Sequence, residues 1–558
     1  MKYLFYQCII LALGWLESAH AQQQKVLDQA WVEDNQLTVT FSKPTMASDA
    51  KGFRLIGGAA RIKELIAGSD SNRLTFSLTD YVLPDDQFHL LYWSELGDAQ
   101  VESKELSNQL DISVANRAIQ YKGKGNIYYV STSGNDAYYG TDPNHPLRTV
   151  DQAQQLAQAG DYILLRRDDT FENTFINVMK SGNPGQYITF GAYGQGSKPI
   201  VEHNWKDIIT IADQSYILID NLHLKVKGDG EKGIYIMGDS RYPIVSNCQV
   251  EGMGKPHYGI NFGKNDGADK RVVYPRILNN YVTGFLANIV STGFPYDGTH
   301  EVVGGLIENN ISGATRSIKN GDGIDAQRGM FHGLIIRKNE VYSYYDDGIH
   351  LFAADSVIVE YNKVHSPQQP CDSGQGIKAG GITRADKIKG HQSVNIVVRY
   401  NTVFNLYNKA NDSGSHNGIQ TNDGASGEVY GNLVYEVQGD GIVVSGPISE
   451  WKIHHNVVIN AEKTGLNIWT EGRNDGKVTV YSNVLEGKQC DLKVNTRTTK
   501  SVIIGKDNIL IHQKTMGAYR GRGDQQIDAS VLFIDPDNHD FRIKPSYYRF
   551  LGTGFHRN

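Results

Sequence analysis

Three aspartates stand close together in two short segments, Asp322 in Gly321-Asp322-Gly323-Ile324-Asp325, which also ends in Asp325, and Asp346 with Asp347 in Tyr344-Tyr345-Asp346-Asp347-Gly348-Ile349-His350. Asp322 and Asp346 are 24 residues apart. If that interval is one turn of a stacked β-structure, they lie one above the other at the ~4.8 Å spacing of neighbouring strands, with Asp347 beside them. Carboxylates that close repel one another unless protonated, paired or bound to a cation. A cluster of hard oxygen donors without cysteine suits Ca²⁺. Solvated turn aspartates are the competing reading, because Asp-Gly is a common turn dipeptide. Downstream, Gly374-Gln375-Gly376-Ile377-Lys378-Ala379-Gly380-Gly381 sets a lysine among small residues. His391 and then His416-Asn417-Gly418-Ile419-Gln420-Thr421-Asn422-Asp423 follow. Lys378 gains little from packing in that setting, and its flanking glycines let a ligand approach closely. A surface lysine is the plainer alternative.

The elements that must position these residues are repetitive. Asn recurs in the context apolar-x-x-Asn-x-apolar, or close variants, at Asn221, Asn247, Asn280, Asn310, Asn339, Asn362, Asn401, Asn432, Asn456, Asn483 and Asn508, at intervals of 23 to 39 residues. Each interval holds several short β runs, as in stacked units that share one core. An Asn amide can pair with the coils above and below, and Asn tolerates the left-handed backbone of tight corners. The pattern predicts an all-β fold, a right-handed parallel β-helix forming a single-stranded solenoid over 126–558. A β-propeller would carry repeated Trp signatures, and these are missing from the repeats. Val150, Ala153, Leu156 and Ala157 predict a short amphipathic helix that caps the open edge of the first coil. Phe533–Pro536 and Asp540–Ile543 read as the segment closing the other end.

Ahead of the repeats, residues 22–118 alternate apolar and polar positions in short bursts, as in Gln36–Phe41 and Arg73–Leu78. They predict a small β-sandwich resembling Ig-like modules, which acts as a spacer or packing unit. Residues 1–21 combine Lys2, a mostly apolar run and Ala19-His20-Ala21, the pattern of a secretory signal peptide. The apolar run is too short to span a membrane, so a secreted or periplasmic location is expected. The 558 residues carry 55 basic and 61 acidic side chains, a net charge of −6. That balance argues against wholesale nucleic-acid binding, and no membrane span is expected; a monomer is. Removing 1–21 takes one Lys and one Glu, leaving the charge at −6, and leaves Cys248, Cys371 and Cys490, too few for a disulfide framework.

The order DGID, DDGIH, GQGIKAGG, a His ahead of an Asn-ladder strand, then GIQTND resembles polysaccharide lyase family nine, pectate lyases built on a right-handed β-helix with a catalytic lysine. The match covers Asp322–Asp423. It implies Asp322, Asp346 and Asp347 as calcium ligands and Lys378 as the Brønsted base. One position departs: the family's last Asp of the double-Asp motif is His350, which implies weaker calcium binding, use of Asp325 instead, or a different substrate. The implied substrate is an acidic, uronate-containing polysaccharide cleaved by β-elimination. A base removes the proton α to the C6 carboxylate and the 4-O-glycosidic bond leaves; a bound cation neutralises the carboxylate. The lysine pKa must then fall from its ordinary ~10.4.

Substrate-binding or orienting roles are expected for His350, His391, His416 and Arg384, with Arg328 a further partner for uronate carboxylates. Tyr342, Tyr344 and Tyr345, and Trp451 with Trp469, read either as sugar-stacking platforms or as ordinary aromatic packing. Glu462 with Asp440 is a weaker acid pair for hydrolysis. A glycoside hydrolase, a C5-epimerase and a non-catalytic glycan-binding surface protein are the alternatives.

Overall fold

The structure, a computed structural model, describes residues 125–264 without a break and, with gaps, parts of 27–116 and 270–544. The expected signal segment, Arg328, Arg384, His391 and Asp423 lie outside the described residues. The chain divides into two compact units, Met1–Leu55 with Ala60–Ala118, and Ile56–Ala59 with Ile119–Asn558.

In the smaller unit, seven described strands are linked by hydrogen bonds in one continuous order. Alternation buries Leu37, Val39 and Phe41 on one strand and Leu74, Phe76 and Leu78 on its neighbour. Phe53, on an edge strand, nevertheless has its ring 6.0 Å from those of Phe41 and Phe76, on strands four and five places away in the sheet. A flat sheet at ~4.8 Å per strand could not bring them together. The sheet therefore curls over and encloses a single apolar cluster.

The larger unit is a right-handed parallel β-helix. Its described strands stack into three parallel sheets of 14, 13 and 13 strands, with a four-stranded parallel sheet added between Arg271 and Asp355. Strands of two to seven residues alternate inward and outward, and the inward aliphatics stack in register. One such column runs through Ile289, Ile324, Ile349, Ile377, Ile419, Ile442 and Leu466, every member fully buried in one continuous core. Among the described residues, no helix is long and apolar enough to cross a membrane.

The asparagine ladder runs from Asn280 to Asn508. In each step one amide oxygen accepts both the backbone N–H and the amide NH₂ of the Asn one coil earlier, as Asn401 Oδ1 does from Asn362 at 3.0 Å for each bond. The amide nitrogen also bonds a main-chain carbonyl, as Asn401 Nδ2 does with Val359 at 2.9 Å. Asn221 and Asn247 are not rungs. They occupy the left-handed corner one residue earlier, with φ of 61° and 53°, and Leu222 and Cys248 stand in the ladder positions. Cys248 N–H donates to Asn280 Oδ1 at 2.9 Å, which starts the ladder.

The capping helix spans Val150–Leu156, and Thr149 Oγ1 accepts from Gln152 N–H at its start. Val150, Ala153 and Ala157 enter the core, whereas Leu156 is 36% exposed. At 100° per residue, position 156 falls off the face shared by 150, 153 and 157, while Gln154 falls on it. Gln154 is buried, and its Oε1 accepts from Met179 N–H at 3.2 Å. At the other end Phe533–Asp535 and Asp540–Ile543 form an antiparallel pair. Phe533, Phe541 and Ile543 pack on Val457, Ile459 and Val484.

Ladder and corner asparagines should separate on substitution. Asn401→Ala leaves the Asn362 main-chain N–H without its acceptor and removes one bond each from the buried Asn362 and Asn432 amides, and should cost about 2–4 kcal/mol. Asn247→Ala loses only an exposed bond to Asp220 and a tolerant left-handed residue, and should cost about 1 kcal/mol. Denaturant midpoints of the full-length variants check the difference.

Candidate functional site

Asp322, Asp325, Asp347, His350 and Lys378 are assembled by three consecutive strands of one parallel sheet and the corners leading into them: Ile324–Ala326, Ile349–Phe352 and Ile377–Gly380. Because Ile324, Ile349 and Ile377 face inward, the residue after each faces outward. Asp325, His350 and Lys378 therefore form one outward column, each in register with the next. Two residues before each isoleucine stands a second column, Asp322, Asp347 and Gln375. The glycines between the two columns donate in order, Gly323 N–H to Asp347 O and Gly348 N–H to Gln375 O.

The stacking partner of Asp322 is thus Asp347, 25 residues on, not Asp346. Asp347 N–H donates to Asp322 Oδ1 at 2.9 Å. Asp346 lies over Gly321 and accepts at its carbonyl from Gly374 N–H. Asp322, Asp346 and Asp347 each still offer one oxygen within 4.8 Å of the others, and Asp322 also groups with Asp325 and His350. The first group is oxygen-only and suits a hard divalent cation; the second adds an imidazole.

Asp347 is the centre of the cluster. Its side chain is fully buried; Oδ2 is 3.0 Å from Lys378 Nζ and 3.5 Å from His350 Nδ1, and Oδ1 accepts from Ser373 Oγ at 2.5 Å. Gln375 Nε2 donates to the same Ser373 oxygen at 2.8 Å. Burial pushes the Asp347 carboxyl up, but Lys378 and His350 outweigh it and hold the group below its ordinary range. The neighbours go the other way. Burial, then the charges of Asp325, Asp346 and Asp347, push Asp322 far up; burial and Asp347 bring Asp346 to about 8. Among the described residues, four carboxylates thus share one lysine and one imidazole, a charge imbalance that protonation or a cation must relieve.

Lys378 differs from expectation. The Asp347 carboxylate raises its pKa, outweighing the burial that would lower it, so the ammonium is held charged in the absence of a cation. The glycine before its strand also has a packing reason. A Cβ on Gly376 would sit 2.3 Å from Val403 Cγ1, and Gly323, Gly348, Gly418 and Gly441 meet a valine in the same way. That glycine column belongs to the coil corner, not to ligand approach.

Other sequence candidates lie apart from the cluster or have structural partners. His416 is 1% exposed, with its ring nitrogens 3.6 and 3.7 Å from Cys371 Sγ. Tyr344 is fully buried. Tyr342 stacks with His365, and Phe404 and Tyr435 continue the stack. Trp451 is in the core, whereas Trp469 is 48% exposed. Asp440 belongs to the same corner column as Asp322 and Asp347, accepting from Thr464 N–H and Asn467 Nδ2, each at 2.9 Å. Glu462 instead accepts from Tyr407 Oη and pairs with Lys488. Ser373 and Gln375 were not anticipated. The available signal was spacing, since Ser373 follows Asp347 by 26 residues, one coil.

A family model described as "Right handed beta helix region" matches residues 289–485. No curated protein sequence matches significantly. Among solved structures, a mannuronic acid specific polysaccharide family 6 lyase from human gut microbiota superimposes with a TM-score of 0.50 at 14% identity, covering 77% of this chain and 98% of its own. A GH136 lacto-N-biosidase from Eubacterium ramulus gives 0.43 at 18% identity, covering 65% and 68%. A pectate lyase gives 0.34 at 14%, covering 75% and 84%. At such identities the likeness is one of fold: this chain is built as a right-handed parallel β-helix.

Proposed function

We propose that the protein is a polysaccharide lyase that cleaves an acidic, uronate-containing polysaccharide by calcium-assisted β-elimination, with Lys378 as the base. The observation that carries the reading is one juxtaposition: Lys378 Nζ lies 3.0 Å from the buried Asp347 carboxylate, on the outward face of the strands that gather Asp322, Asp325 and Asp346. Their order along the chain resembles that of polysaccharide lyase family nine. The proposed cation ligands are Asp322, Asp346 and Asp347; Asp325 and His350 line the adjoining position where the family has an aspartate. Export to a secreted or periplasmic location belongs to the same proposal.

Bound calcium would offset the carboxylate charge that now holds the Lys378 proton and would acidify the uronate C5–H by engaging the C6 carboxylate. The chain's own residues do the rest. Ser373 and Gln375 fix the rotamer of Asp347, so that Oδ2 keeps Lys378 Nζ in place. Neutral Lys378 takes the C5 proton. The released electron pair forms the C4–C5 double bond while the C4–O bond breaks, and the departing oxygen takes a proton from solvent. Epimerisation would begin with the same abstraction but return a proton to C5, leaving no double bond.

Lys378→Ala should lower the rate of unsaturated-product formation about a thousandfold, followed by ultraviolet absorbance on polygalacturonate and alginate with and without Ca²⁺. Full activity in this variant would defeat the proposal.

Stability should depend on pH in a defined direction. The folded, cation-free protein holds the Asp346 proton to about 8, against 3.8 for an ordinary Asp. Its stability should therefore fall as pH rises through that window, where the unfolded chain ionises first. Calcium binds the ionised carboxylates, so its addition should raise the melting temperature more at the upper end of the window than at the lower, as read by calorimetry.

A further inference from the structure

The sheet that carries Lys378 is unequal on its two sides. Toward the N-terminus, the outward column continues below Asp325 through Val290, Asn261 and Tyr235. These outward residues are 1%, 1% and 8% exposed, so this side is closed. Toward the C-terminus the same column continues above Lys378 through Gln420, Val443, Asn467 and Lys493, of which Val443 is 7% exposed and the other three are partly open. The next outward column passes from Gly380 through Asn422 and Ser445 to Trp469. Its first and third members are small, and it ends at an indole that is 48% exposed.

Trp469 alternates with the fully buried Ile468 and so faces outward. It stands three coils above the level of Lys378, about 14 Å at the spacing of stacked strands, or about three pyranose rings. An exposed indole flanked by small and polar side chains suits the C–H face of a sugar ring. Lys493, one coil further along the outward column, supplies a cation for an anionic ring at the far end.

We infer that Trp469 forms a saccharide-stacking subsite for an anionic glycan that runs along the solenoid axis from Lys378 toward the C-terminal coils. The inference rests on the proposed function for the nature of the polymer. On this assignment the glycan must extend at least as far as the Trp469 coil to gain full affinity. Trp469 acts in binding and not in proton transfer.

The test is affinity electrophoresis of the full-length protein in gels containing polygalacturonate or alginate, with wild type, Trp469→Ala, Trp469→Phe and Lys378→Ala. Trp469→Ala should bind the retarding polymer about tenfold more weakly, and Trp469→Phe should recover most of the loss. Unchanged melting of Trp469→Ala supports a surface role. On a polymer that is turned over, Trp469→Ala should raise KM by the same factor and leave kcat within twofold. Equal mobility of Trp469→Ala and wild type, including no retardation of either, overturns the subsite. So does failure of phenylalanine to rescue. Lys378→Ala distinguishes the two readings: if it keeps full turnover while Trp469→Ala loses retardation, the lyase mechanism falls and the subsite stands.

Discussion

In-register stacking of parallel strands is the constraint on which the rest of this molecule depends. Once one coil lies on the next, every side chain meets its counterpart from the neighbouring coil at a fixed separation of ~4.8 Å. Inside, that rule turns isoleucines into a continuous column. At one corner it turns asparagines into a chain of shared amide bonds, and at another it demands glycine wherever a valine methyl fills the space. On the outward face it stacks Asp325, His350 and Lys378. The same geometry that stabilises the core thus crowds the charges.

That crowding sets the character of the site. A carboxylate with two neighbours of like charge would relax away on a flexible loop. Here Asp322 lies in a corner position where its carboxylate accepts the next coil's N–H, as Asp440 does further along the same column. The fold uses such acids structurally, and three coils concentrate them beside one lysine. Ser373 and Gln375 hold Asp347 in one orientation, so the imbalance falls on Asp322 and Asp346, whose carboxyls burial and neighbouring charge push up.

Much of this was legible in the residues. Repeating Asn and alternating aliphatics disclosed the solenoid, and DGID, DDGIH and GQGIKAGG located the cluster. The errors came from properties that a spacing does not encode. Asn221 and Asn247 share the motif but sit one position early, because both rung and corner tolerate Asn while Leu222 and Cys248 fill the rungs. By spacing, Asp346 reads as the partner of Asp322, because 24 and 25 residues look alike until one register is known. The lysine pKa was expected to fall, yet its direction depends on which carboxylate lies in contact. Leu156 was placed on a face that 100° per residue does not give it.

The ladder's late start has a mechanical consequence. In a solenoid each coil is held only by its two neighbours, so stability accumulates locally. The coils around Leu222 and Cys248 lack the shared amide bonds that tie Asn280 to Asn508. Fraying should therefore begin at that end and stall where the rungs begin. The coils that carry Asp322, Asp347 and Lys378 lie well inside the zipped stretch, which isolates their geometry from loosening at the start of the helix.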